Sequence, residues 1–226
     1  MPESKKAALR CPKCHKPIRP DFPAVIDAQR QPRLREKLMD STLFRVHCPH
    51  CGAPCAVLAR CLYYDRAKKF MVLLLPGFAE AQWSDARQAH DYPEMAQITK
   101  RIVGTARRMK EKILLLEAGA NDRAIELAKL AAAEIASRRM GQPIAEAYVE
   151  SLDEARNEIG FVFFPQGSGE PLHCTTSNDI YAFTRQITLP PAPAEAFLNV
   201  DGAWAADALA QYRRKKRKSE WTGEDE

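Results

Sequence analysis

Long apolar runs are missing from this 226-residue chain. The longest, residues 70–75, falls far short of the roughly 20 residues that span a bilayer as a helix. No apolar stretch of signal-peptide length follows Met1-Pro2-Glu3-Ser4-Lys5-Lys6, so the chain is expected in the cytoplasm, with no membrane partner. No internal repeat is present. The turn-rich Gln166-Gly167-Ser168-Gly169 lacks the lysine and following hydroxyl of a phosphate loop, and reads as a hairpin turn. His173-Cys174 comes without an oxyanion-hole motif. Strand neighbours point to opposite faces, so the two are not expected to act as base and nucleophile.

Seven cysteines are present. In a reducing compartment they argue against disulfides, and two close pairs among them argue for a metal. Cys11-Pro12-Lys13-Cys14 and Cys48-Pro49-His50-Cys51 are C-x-x-C knuckles separated by 33 residues, as in a four-cysteine zinc ribbon with an inserted element. The spacing lets one tight turn aim both sulfurs at a single ion. Proline after the first cysteine presets the turn, and glycine after the second tolerates positive φ. Gly52 supplies that glycine in the second knuckle, and His15 stands in its place in the first.

Cys11, Cys14, Cys48 and Cys51 are therefore the expected ligands of one structural Zn2+ per chain. Four protein ligands leave no open position for catalysis. A rubredoxin-like iron site uses the same four thiolates and stays open as an alternative. His47 and His50 are expected outside the ligand set. Cys55 and Cys61, placed on one strand about 20 Å apart, are expected as buried small apolar residues.

Charge is divided along the chain. Residues 1–75 carry 15 Lys+Arg against 6 Asp+Glu, and residues 76–212 carry 13 against 19. Zinc on four thiolates would bring the first segment to about +7. Such a basic head, with Phe22, Phe44, Tyr63 and Tyr64 interleaved, would allow phosphate contacts and base stacking.

The expected fold is α+β: an N-terminal antiparallel-β zinc ribbon, then a helical hairpin and a small C-terminal β/α region. The ribbon spans residues 8–75, with strands at 22–26 and 43–47, helical turns at 31–40 and a hairpin of 54–64 with 69–75. A connector follows at 76–91. In the body, 92–212, apolar steps of three and four from Met95 through Ile98 and Ile102 to Leu116 predict one long helix over 93–118, ended by Gly119. Its Lys100, Arg101, Arg107, Arg108, Lys110 and Lys112 read as a solvated face. Asn121 caps a second helix closed by Arg138, Arg139 and Gly141. A shorter helix over 144–156, strands at 159–164 and 181–189, and a helix capped by Asp201 complete the body. The tail, 213–226, opens with six consecutive cations and is expected to be disordered.

These residues resemble the CpXC domain, a bacterial and archaeal zinc-ribbon-like module of uncharacterised function. The resemblance rests on the two knuckles, Arg35-Glu36-Lys37-Leu38, Leu43-Phe44, and Tyr63-Tyr64-Asp65 with Lys68-Lys69-Phe70-Met71. It extends less specifically through Arg101-Ile102-Val103 and Glu111-Lys112-Ile113 to Asp122-Arg123-Ala124-Ile125-Glu126-Leu127. It implies four-cysteine zinc binding and a cytoplasmic setting, and no reaction. The expected function is a non-catalytic interaction module that binds a protein partner or a second copy of itself. Nucleic-acid binding through residues 1–75, and an enzyme or iron electron carrier, are the alternatives.

Overall fold

Two C-x-x-C turns need two hairpins to carry them, and both are present in the computed structural model, which describes residues 9–20, 22–56, 59–77, 98–153, 155–167, 169–187 and 197–222. The chain divides into two compact units, Met1–Thr99 with Val103–Lys110, and Lys100–Ile102 with Glu111–Glu226. The connector expected at 76–91 lies, from residue 78 onward, outside the described residues, as does Met95.

In the first unit β1 (Leu9–Arg10) pairs antiparallel with β2 (Pro17–Ile18). Two further strands, β4 (Arg45–His47) and β5 (Pro54–Ala56), form a second small hairpin. Between them stand β3 (Val25–Asp27) and α1 (Pro32–Met39), which begins on a proline whose missing N–H costs nothing in a first turn. β6 (Cys61–Asp65) and β7 (Phe70–Leu74) make the expected hairpin. Residues 54–64 thus divide between two sheets instead of forming one strand. β8 (Thr99–Val103) completes the order β3-β6-β7-β8. β3 runs parallel to β6, within a head expected to be mostly antiparallel. Residues 28–60, with α1 and the second small hairpin in them, supply the crossover that a parallel pair requires.

This sheet carries the core of the unit. Ile26, Tyr63, Val72 and Leu74 are fully buried, and Tyr63 stacks on Phe70 with ring centroids 5.9 Å apart. Phe44 and Tyr64 are buried too. Three of the four aromatics expected to offer a stacking surface therefore face inward.

The long helix expected over 93–118 is two elements: β8, and α2 (Ala106–Glu117). Thr99, Ile102 and Val103 are β-branched and favour a strand, and the polar Thr105 caps the helix with its Oγ1 accepting from Arg108 N at 3.2 Å. The steps of three and four that suggested a helix before residue 104 coincide with a strand whose last three residues are all buried. Gly119, at φ +70°, ends α2 as expected, with Gly119 N donating to Leu116 O and Ala120 N to Leu115 O.

In the second unit α3 (Asp122–Met140) is capped by Asn121, whose side chain accepts from Arg123 N and Ala124 N, and closes on the left-handed Gly141. β9 (Ile144–Asp153), β10 (Glu158–Pro165) and β11 (Leu172–Ser177) form an antiparallel sheet in the order β11-β10-β9. The helix expected over 144–156 is thus a strand. Ile144, Tyr148 and Leu152 recur every four residues, but the register shifts between Gly160 and Phe161, with Ser151 opposite Gly160 and Val149 opposite Phe161. That irregularity disrupts the period of two that would have marked the strand.

Tyr181, expected in a strand, lies in α4 (Asp179–Arg185), held by Thr184 Oγ1 donating to Ala124 O. The last helix, α5 (Gly202–Thr222), starts as expected with Asp201 Oδ1 accepting from Trp204 N at 3.0 Å. It runs on through most of the segment expected to be disordered, because lysine and arginine are good helix formers and favour a helix C-terminus. Leu115, Ile125, Val149, Ile159, Phe161 and Phe163 form the core.

A buried ladder of alternating charge ties this unit together. Arg101 donates from Nε and Nη2 to both oxygens of Asp122, at 2.7 and 2.8 Å. Lys112 lies between Asp122 (3.4 Å) and Glu126 (3.2 Å). Lys129 bridges Glu126 (2.9 Å) and Glu111 (2.8 Å), and Glu111 accepts from Val149 N. Arg101 and Lys112, expected on a solvated face, are therefore interior residues.

Candidate metal centre

Each knuckle sits at the turn of a two-stranded hairpin, and the two turns share one hydrogen-bond pattern. Cys11 N donates to Lys16 O and His15 N to Cys11 O; Cys48 N donates to Ala53 O and Gly52 N to Cys48 O. Both closing residues are left-handed, His15 at φ +58° and Gly52 at φ +68°. The sequence reading of His15 as a stand-in for glycine holds at this position.

All four sulfurs lie within 4.8 Å of one another. Cys11 Sγ is 3.7 Å from Cys51 Sγ, and Cys14 Sγ is 3.6 Å from Cys48 Sγ. These separations are far longer than the roughly 2.05 Å of a disulfide. They match the edge of a tetrahedron of four sulfurs placed about 2.3 Å from a central ion, which is about 3.8 Å. Cys11 and Cys48 are buried, Cys14 is half-buried and Cys51 is exposed, so the site lies at the edge of its small cluster with Ile18 beneath it. His47 and His50 are exposed and stand outside the sulfur group.

The backbone sets the thiol chemistry. The N–H of Cys14, and then that of Lys13, which donates to Cys11 Sγ at 3.4 Å, hold the Cys11 thiol down at about 6 against the opposing effect of burial. At Cys14 the Lys16 N–H pulls the same way, but burial and the neighbouring thiols outweigh it and push Cys14 up to about 11.

Cys55 and Cys61 part company. Cys61, on β6, is fully buried and pushed up to about 12 by burial, away from the hairpins. Cys55, on β5, packs into the sulfur cluster with its Sγ 3.9 Å from Cys11 Sγ and 3.6 Å from Ala53 O. Burial and then Cys11 raise its pKa, which favours the neutral thiol that donates toward the Cys11 sulfur. The placement of both cysteines on one strand is corrected here; burial of both is observed. Cys55 follows Cys51 by four residues in a tight hairpin, and that proximity was the available signal for its position beside the site.

His173 and Cys174 lie on β11 as strand neighbours with different surroundings. His173 Nδ1 meets Glu150 Oε2 at 2.7 Å at the surface, and Cys174 packs against the core. They do not form a nucleophile and base. No helix among the described residues is long and apolar enough to cross a membrane.

No curated protein matches this chain, and no solved structure does. Among protein families, CpXC protein matches over residues 9–129, more than half the chain, a span that takes in both knuckles and every member of the charge ladder. Two hairpin-borne C-x-x-C turns within that matched span place the chain in the CpXC protein family.

Proposed function

We propose that the four cysteines hold one structural Zn2+ and that the chain is a non-catalytic interaction module built around that ion. The single observation carrying the reading is the sulfur tetrahedron, with S–S separations of 3.6 and 3.7 Å close to the roughly 3.8 Å of a four-thiolate ion. Four protein ligands fill the coordination sphere of zinc, so the ion polarises no substrate, and its binding free energy becomes folding free energy. The second hairpin pairs only three residues on each side, too little core to fold on its own.

The partner reading rests on charge. The basic residues of the head are mostly exposed while Phe44, Tyr63 and Tyr64 are buried. Among the described residues the head thus presents many cations while three of its four expected stacking aromatics are turned inward, which favours an acidic protein face over base stacking by the head.

Purified protein is expected to be colourless with about one zinc per chain by elemental analysis. Cys48→Ser is expected to lose the metal and much of the stability of the head, on the order of 5 kcal/mol or more given the affinities of structural zinc sites. A red protein with iron charge-transfer bands, or a Cys48→Ser variant of unchanged thermal stability, would overturn the reading.

A further inference from the structure

Cys55 is the thiol at the metal centre that the ligand set leaves over. It stands outside the group of four mutually close sulfurs, buried on β5, with its Sγ 3.9 Å from Cys11 Sγ. Its neighbours Ile18, Val46 and Ala53 are apolar, so packing alone asks for no thiol there. A cysteine packs as a small apolar residue but carries one S–H proton to donate. Two acceptors are within its reach, Cys11 Sγ and, at 3.6 Å, Ala53 O. Ala53 O already accepts from Cys48 N at 2.9 Å.

Four thiolates around one divalent cation leave negative charge in excess, and buried charge is costly unless donors offset it. Water reaches the exposed Cys51, whereas the fully buried Cys11 depends on donors from the protein. Lys13 N is one, at 3.4 Å from Cys11 Sγ. Cys55 is placed to be another. A hydrogen bond to an ionised acceptor is about twice as strong as one between neutral groups, so the thiolate of Cys11 outcompetes the carbonyl of Ala53 for the Cys55 proton. We propose that the Cys55 S–H donates to the metal-bound sulfur of Cys11, offsets part of its charge and thereby raises the affinity of the site for its ion. The inference rests on the four-thiolate reading above and adds to it a residue that acts through Cys11 and touches no metal itself. Partners of this kind typically contribute about 10- to 100-fold in metal affinity.

The test compares the full chain as wild type, Cys55→Ala and Cys55→Ser, with zinc affinity measured by competition against a chromogenic chelator. Cys55→Ala is expected to bind at least about tenfold more weakly. Cys55→Ser, close to alanine in size but with a hydroxyl to donate, is expected to recover the affinity to within about threefold of the wild type. Packing alone predicts serine no better than alanine, since burying a hydroxyl costs more than burying a methyl group. Loading with Co2+ gives a second readout. Losing a donor raises the energy of the sulfur electrons, so the sulfur-to-cobalt charge-transfer band of Cys55→Ala is expected at longer wavelength, with the ligand-field bands of a tetrahedral ion unchanged. Less than about a tenfold loss in Cys55→Ala, or an unshifted charge-transfer band, would overturn the proposal. So would serine binding no more tightly than alanine, a comparison that holds even where Cys55→Ala takes up no metal. A wild type that takes up neither zinc nor cobalt would overturn the four-thiolate reading as well, which is distinct from a wild type that binds one ion no better than its variants.

Discussion

His15 and Gly52 close two copies of one turn, yet only one of them is a glycine. A left-handed backbone costs a non-glycine residue about 1–2 kcal/mol, while replacing it by glycine loosens the unfolded chain at a cost of about 0.5–1 kcal/mol. These effects nearly cancel. His15→Gly is therefore expected to keep metal affinity within about threefold of the wild type. His15→Val, with a β-branched side chain that resists positive φ, is expected to weaken it at least about tenfold, corresponding to about 1–2 kcal/mol of strain. Competition with a chromogenic chelator measures both. At this scale the site was readable from sequence, because a C-x-x-C turn is local and the fifth residue of each turn must be left-handed. The position of Cys55 against Cys11 was less so, since it depends on how one hairpin packs against another.

At the scale of elements, the charge ladder decides how α3 is held. Asp122 is buried and receives Arg101 through two bonds and Lys112 at 3.4 Å. Asp122→Asn leaves two buried cations short of their anion, and breaking a buried pair from one side costs about 3–5 kcal/mol. Urea denaturation is expected to show a loss of that size. Arg138→Ala removes a cation from an exposed pair with Glu134, and its effect is expected within about 0.5 kcal/mol. Caps were legible: Asn121, Gly119, Gly141 and Asp201 act where their chemistry requires. The identity of β8, β9 and α4 was not. Their apolar spacing fits the wrong period, and pairing or packing with distant residues decided between strand and helix.

At the scale of the molecule, the ladder sets a pH range. Burial alone would raise Asp122, but the charge of Lys112 and the bonds from Arg101 bring it down to about 2, below its ordinary 3.8. A carboxylate depressed by folding contributes stability above its unfolded pKa and loses it as pH falls. The Asp122 contribution, about 2 kcal/mol, is expected to disappear between about pH 4 and 2. Lys112 is shifted the other way: burial opposes its charge, but Glu126 first and then Asp122 raise it above 10.5. Its contribution holds below the unfolded value and is lost as pH climbs through the raised one. Urea midpoints across pH 2–12 are expected to show a plateau falling at both ends, with the acid limb flattened in Asp122→Asn.

The sequence by itself determined the two C-x-x-C turns, the α+β class and the caps of α3 and α5, because each turn and each cap rests on residues within a few positions of one another. Only the tertiary structure decided that β3 lies parallel to β6, that residues 144–153 are a strand, that Cys55 meets Cys11, and that Arg101 and Lys112 are interior. Those outcomes turn on burial and on partners distant in the chain, and a charged side chain reads as solvated until its counter-charge is brought to it.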